Sequence, residues 1–225
     1  MKLIVFSDIH GNIYSLEKAV KLMEEYKPDQ YLFLGDMAGY YYYQNKCIEL
    51  LKTLSNLISI KGNHDDLFLK SISDGKLLKK LDNRYGKSYS MLKNNITDLS
   101  LEYLNNMQDY EKNNIYEAYH GSPNNYYLEY IYPDNKDLAL GDSHAPYMFL
   151  GHTHYLMNKY INGVRVINPG SIGQPRDLNK PSFSVIDTTD GKVEFVRYTY
   201  NKKELVNNIL LNNDKSYLTT ILQRK

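Results

Sequence analysis

Hydrophobic positions fall along the chain in two periods. The unbroken apolar run KLIVF at 2–6 fits a strand buried on both faces. Ile13, Leu16, Val20 and Met23 then recur at helical spacing until Pro28 closes the segment. YLFLGD at 31–36 predicts a second strand, and Cys47, Leu50, Leu51 and Leu54 a second helix. LISIKGNHD at 57–65 reads as a third strand with a polar end. From about Asp66 to Tyr110 the pattern is helix and loop, clearest in LSLEYLNNM at 99–107. IYEAYHGS at 115–122 and YMFLGHTHY at 147–155 are further strands. Asn162-Gly163 and Asp190-Gly191 sit between alternating runs, a strong hairpin signal. KELVNNILL and YLTTIL, at 203–211 and 217–222, read as two C-terminal helical segments. Strands and helices alternate early and hairpins dominate late, which predicts mixed sheets covered by helices.

Length and charge narrow the class. A chain of 225 residues, 42% hydrophobic, suffices for one large domain with a real core. A net charge of +1 gives no global attraction to nucleic acid or anionic lipid. The best basic stripe, KLLKKLDNR at 76–84, reads as the solvated face of a helix, so nucleic acid is not an expected partner. No run approaches the ~20 apolar residues of a membrane span, and LIVF is too short for a signal-peptide core. The single Cys47 excludes an internal disulfide and fits a reducing, cytoplasmic setting. Tyrosine is abundant throughout, so its clusters carry less weight than their size suggests.

The polar residues that end the strands form a constellation. The first strand ends in Asp8 and His10, the second in Gly35-Asp36, and the third in Gly62-Asn63-His64-Asp65. The next two end in His120-Gly121-Ser122 and Gly151-His152-Thr153-His154. In open α/β sheets ligands bind beyond the carboxyl ends of strands. Five of the six histidines lie in these motifs, and only His144 falls outside. Carboxylate, imidazole and amide oxygen without thiolate suit Mn, Fe, Zn or Ni, whereas calcium wants oxygen donors almost alone. The donors are too many for one tetrahedral zinc, so two divalent ions sharing a bridging carboxylate are expected.

DIHGN, GD, GNHD, HGS and GHTH, in this order, resemble the calcineurin-like metallophosphoesterase superfamily over nearly the whole chain. NPGSIGQPRD at 168–177 and HGSPNNYYLEYI at 120–131 are similar to a compact bacterial and archaeal branch with phosphodiesterase-like members. The resemblance implies a four-layered α/β/β/α sandwich of two mixed β-sheets with flanking helices. It implies a metal site at the C-terminal ends of the strands, in a single domain 1–225 with a helical lid insertion at about 66–115. By the family pattern Asp8, His10 and His154 hold one metal, Asn63, His120 and His152 hold the other, and Asp36 bridges them. Manganese is the favoured ion. His64 matches the histidine that protonates or stabilises the leaving oxygen. Asp65 either orients that imidazole or is a surface turn carboxylate. Arg176 either contacts a substrate phosphate or braces its loop by pairing with Asp177 or another neighbour.

The implied activity is hydrolysis of a P–O bond by in-line attack of hydroxide formed between the two ions. Protein phosphatases and symmetric dinucleoside tetraphosphate hydrolases of the superfamily carry an arginine shortly after GD, and a glutamate in GNHE. This chain has GDMAGY and GNHD. Small phosphodiesters or nucleotide-type substrates are therefore expected ahead of phosphomonoesters, phosphoproteins and dinucleoside polyphosphates. Few cations beyond Arg176 stand in the motifs to hold a dianion. Tyr40 to Tyr43 and Tyr126, Tyr127 and Tyr130 are candidates for the pocket mouth, with hydrophobic packing the competing reading. Some relatives are non-catalytic protein-binding scaffolds. All seven ligand positions and His64 are intact here, which disfavours that role.

Overall fold

The computed structural model describes residues 1–135, 140 and 143–222. Strand β1 (Lys2–Phe6) is followed by α1 (Ile13–Glu25), β2 (Gln30–Phe33), α2 (Gln44–Leu51) and β3 (Leu57–Ser59). Four helices follow: α3 (Asn63–Ser73), α4 (Gly75–Tyr85), α5 (Ser88–Asn95) and α6 (Asp98–Asn106). The next strands are β4 (Tyr110–Lys112), β5 (Tyr116–Tyr119), β6 (Tyr147–Leu150), β7 (Leu156–Ile161) and β8 (Val164–Pro169). Strands β9 (Ser182–Asp187) and β10 (Lys192–Arg197) precede α7 (Lys203–Leu211) and α8 (Ser216–Leu222).

These strands form two mixed five-stranded sheets, β10-β9-β1-β2-β3 and β4-β5-β6-β8-β7. Strand β1 is central in the first sheet, parallel to β2 and antiparallel to β9. Its side chains alternate between two cores, as a pleated strand requires. Leu3 and Val5 pack with Leu32, Phe149 and Ile167 between the sheets. Ile4 and Phe6 face the helices, with Leu16, Val20 and Met23 of α1 and Cys47 and Ile48 of α2. Burial on both faces explains the unbroken apolar run. The outer face of the second sheet, bearing Met148, Leu150 and Val166, is covered by Tyr126, Ile131 and Leu140 of the β5–β6 connection. Among the described residues the helices lie on the side of the first sheet.

Local signals account for several boundaries. The Asn12 side chain caps α1 by accepting from Ser15 N at 3.2 Å. Asn162 and Gly163 both have positive φ, 50° and 84°, as a two-residue type I′ hairpin between β7 and β8 demands. Two boundaries differ from the sequence pattern. Helix α3 begins at Asn63, so the polar end assigned to the third strand is the first turn of a helix. The short strand β4 pairs antiparallel with β5 where helix and loop were expected.

The segment 66–115 comprises most of α3, then α4 to α6 and β4. Phe68, Leu81, Tyr89, Leu92 and Leu104 from it join the core that contains Phe6 and Phe33. Helices α7 and α8 pack Leu205, Ile209, Leu218 and Leu222 against Tyr40 and Tyr41. His144 is exposed and Cys47 is buried. Among the described residues no helix is long and apolar enough to cross a membrane.

Candidate metal centre

The seven candidate ligands leave five different strands and meet at one rim. Asp8 and His10 follow β1, Asp36 follows β2, and Asn63 follows β3. His120 follows β5, and His152 and His154 follow β6. Asp8, His10, Asp36, His152 and His154 have left-handed φ, between 51° and 66°. That region costs an L-residue roughly 1–2 kcal/mol, and its concentration here marks backbone bent to aim side chains inward. All seven are buried, none more than 6% exposed.

Hydrogen bonds fix the tautomers. A carbonyl can only accept, so the Nδ1 of His10, His120 and His154 must each carry the proton donated to Ala38 O (2.8 Å), Leu34 O (2.7 Å) and Gln174 O (2.6 Å). In the neutral rings every Nε2 then presents a lone pair. His10 Nε2 lies 3.3 Å from His154 Nε2, and His154 Nε2 lies 3.2 Å from Asp8 Oδ1. His120 Nε2 is 3.3 Å from Asp36 Oδ2 and 3.0 Å from Asn63 Oδ1. Among the described residues, both carboxylate oxygens of Asp8, Asp36 Oδ2 and His152 Nε2 are buried without a hydrogen-bond partner. Donor atoms of Asp8, His10, Asp36 and His154 fall within 4.8 Å of one another, as do those of Asp36, His120 and His152.

Buried acceptors facing acceptors require cations, so these residues fit two ions that share Asp36. The ionisation pattern agrees. Burial pushes His10 and His152 down to about 3 and takes His154 well below the ordinary imidazole range. Burial likewise raises Asp8. Burial also opposes charge on His120, but the neighbouring Asp36 outweighs it and lifts His120 to about 9.

The backbone around the centre is stitched by side chains that the motif reading passed over. Ser171 Oγ and Gly173 N both donate to Asp8 O, at 2.8 Å each, and so hold the 168–177 loop over the first corner. Asn168 Nδ2 donates to Gly151 O at 2.6 Å and Thr153 Oγ1 at 3.0 Å, holding the last corner. Asp36 Oδ1 accepts from His64 N at 2.8 Å, at the N-terminus of α3, which leaves Oδ2 facing the ions' place. A Cβ on Gly62 would lie 2.1 Å from that Oδ1, so only glycine permits the approach.

Asp65 departs from both expectations. It is fully buried, so it is not a surface turn residue. Its oxygens accept from Asp36 N (2.9 Å), Ala38 N (2.8 Å) and Gly62 N (3.0 Å), and among the described residues none reaches the His64 ring. As the third residue of α3 it has the capping-box geometry, reaching back to the helix start, and it also pins the Asp36 loop. His64 is oriented instead by Tyr89 Oη, 2.5 Å from Nδ1. Tyr89 lies in α5, in no motif, and no local sequence signal joins it to His64. Its phenol is buried and held well above its ordinary pKa, so it keeps its proton. With Tyr89 as the donor to Nδ1, the neutral ring carries its proton on Nε2.

Arg176 does not pair with Asp177, which is bound by Arg197. Among the described residues its guanidinium makes no hydrogen bond or ion pair, and its charge acts on His64 and His154. It lines a cleft of about 320 Å³ with Tyr40, Tyr85, Tyr217 and Arg84, a residue outside every motif. The tyrosine clusters divide. Tyr40 meets His10 and His64 at ring distances of 4.7 and 5.1 Å, and Tyr130 covers His152 at 3.8 Å. Tyr41 and Tyr126 pack into cores, and Tyr127 bonds Asp109.

Residues 1–191 match the model of the calcineurin-like phosphoesterase superfamily domain, and the chain belongs to that superfamily. Members hydrolyse phosphoesters with a dinuclear divalent metal site. An uncharacterized protein of Methanocaldococcus jannaschii is 31% identical over 228 residues, 92% of this chain and 91% of its own. A solved metallophosphoesterase of Sphaerobacter thermophilus has a TM-score of 0.81 at 25% identity, covering 100% of this chain and 99% of that one. A hypothetical protein of Pyrococcus horikoshii has a TM-score of 0.86 at 26% identity, covering 98% and 97%.

Two measurements check the centre. Exhaustive chelation should lower the melting temperature, and Mn²⁺ at about a hundred times its Kd should restore roughly 2.7 kcal/mol; a melting point indifferent to both would remove the metal centre. Asp65→Ala orphans three buried backbone N–H groups, at about 1–3 kcal/mol each. Urea unfolding should therefore show a loss well beyond the ±0.5 kcal/mol of a surface substitution.

Proposed function

We propose that the chain hydrolyses phosphodiesters in nucleotide-type substrates, with Asp8, His10 and His154 on one ion, Asn63, His120 and His152 on the other, and Asp36 shared. Manganese is our choice of ion, because oxygen and imidazole donors without thiolate suit it. Bound divalent ions would supply a water of lowered pKa and offset charge on the phosphoryl oxygens. The observation that carries the diester reading is that aromatic faces flank the centre at both ends. The Tyr130 ring, 47% exposed, lies over His152, and the Tyr85 ring lies 4.7 Å from His64. A diester has two substituents to rest, and an aromatic face stacks a base at about 1–3 kcal/mol.

The remaining chemistry belongs to His64. Its Nε2–H makes no hydrogen bond among the described residues and is available to the leaving oxygen. Tyr89 keeps that proton on Nε2, and Asp65 holds the turn from which the ring projects. The helix start that presents His64 also grips Asp36, so the acid and the shared ligand move as one unit. The lone Cys47 suits a reducing compartment.

The deciding experiment compares kcat/KM for bis-nitrophenyl phosphate with nitrophenyl phosphate in Mn²⁺, then a nucleotide diester with its matched monoester. Diesters should lead in both pairs, and monoesters leading in both would overturn the assignment. His64→Ala should cost alkyl and nucleoside esters about 10²–10⁴-fold and nitrophenyl esters far less, because nitrophenolate leaves without a proton. Tyr89→Phe should show the same leaving-group bias, smaller in size, with metal content retained. Equal losses on both ester types would assign His64 and Tyr89 to positioning instead.

A further inference from the structure

We propose that the cleft between Arg84 and Arg176 is an anion subsite that takes a second phosphoryl group of the substrate, next to the one being cleaved. The substrate class is then a nucleotide with two or more linked phosphates. This rests on the phosphoesterase activity of the adjoining centre and narrows its substrate.

The cleft opens beside the metal centre. Tyr40, one of its walls, touches His10 and His64, and Tyr85 touches His64. Two guanidinium groups line it, and among the described residues no carboxylate does. Neither arginine has an ion-pair partner among the described residues. Arg176 is half-buried and comes from the loop after β8, and the exposed Arg84 comes from the last turn of α4. Two cations from distant segments line the same cleft, and both act on its Tyr85 wall.

Charge accounting decides what they are for. Two divalent ions already exceed the charge of Asp8 and Asp36, and a scissile diester brings a single negative charge to meet that excess. Unpaired guanidinium groups further out find no anion in such a substrate. A neighbouring phosphate supplies one, in the planar two-pronged geometry that guanidinium matches. The arginine count in the motifs had suggested too few cations for a more highly charged substrate; Arg84 changes that count.

Arg84 is also held in place. Its backbone carbonyl accepts from Tyr217 Oη at 3.3 Å, and its guanidinium lies over the Tyr85 ring at 5.0 Å. The next turn is gripped by Asp214, whose Oδ2 accepts from Lys87 N at 2.9 Å and Tyr42 Oη at 2.8 Å. Helices α7 and α8 therefore set the position of one wall of the cleft.

The test is binding, measured by calorimetry on Mn²⁺-loaded protein freed of excess metal, with inorganic phosphate and the non-hydrolysable methylenediphosphonate as probes. The unmodified protein should bind the diphosphonate at least about tenfold tighter, the scale of one charged hydrogen bond. Two phosphonates chelate metal better than one phosphate in any such centre, so the variant decides. Arg84→Gln, on an exposed helical position, should shrink the ratio to below about threefold, and Arg84→Lys should recover part of it. Metal content and melting temperature confirm that each variant is folded. No preference in the unmodified protein, or an undiminished ratio in Arg84→Gln, overturns the subsite. Turnover of bis-nitrophenyl phosphate is scored separately: its absence would refute the hydrolase reading and leave the binding result standing.

Discussion

Unshared electron pairs that face one another in a place without water set the terms for this molecule. Two carboxylates, four imidazoles and an amide oxygen converge at the rim of the sheets, and several of their acceptor atoms have no donor among the described residues. In a low-dielectric interior such an arrangement is repulsive unless cations lie within it. The two sheets, the glycine contact at Asp36 and the carbonyls that lock three imidazole tautomers all hold these atoms together against that repulsion. The apolar layers on either face of β1 supply the burial that makes the constraint severe.

How much of this can be read from residue order depends on distance along the chain. Local chemistry was legible: the double-sided apolar run of β1, the period of α1 and the Asn-Gly hairpin each carry their cause within a few residues. The seven candidate ligands stand out because each follows a strand in a short motif and histidine is otherwise scarce. The contacts made by the neighbouring His64 and Asp65 do not. His64 finds Tyr89 twenty-five positions away, across three helices, and nothing near Tyr89 separates it from the other tyrosines of this tyrosine-rich chain. Asp65 was adjacent to the residue it was expected to serve, and adjacency misled. On the first turn of a helix, neighbours diverge and the third side chain folds back to the backbone.

Arg84 illustrates a different limit. In the sequence it ends a basic stripe on an amphipathic helix, and the solvated reading is correct for Lys76, Lys79 and Lys80, which are exposed. Only the turn after α4, fixed by contacts from the C-terminal helices, brings Arg84 to the cleft. The same turn leads into α5 and Tyr89. The cleft wall that bears Arg84 and the phenol that meets His64 thus share one short stretch of backbone.

The left-handed corners have a consequence for how such a centre can change over generations. Asp8, His10, Asp36, His152 and His154 each stand where the backbone admits few side chains. Aspartate, asparagine, histidine and glycine tolerate that conformation, whereas a β-branched replacement is a genuine outlier there. A descendant that abandons the chemistry but keeps the fold would drift mostly among those four residue types. Its ancestry would stay readable in short polar corners, long after the electron pairs that first required them had gone.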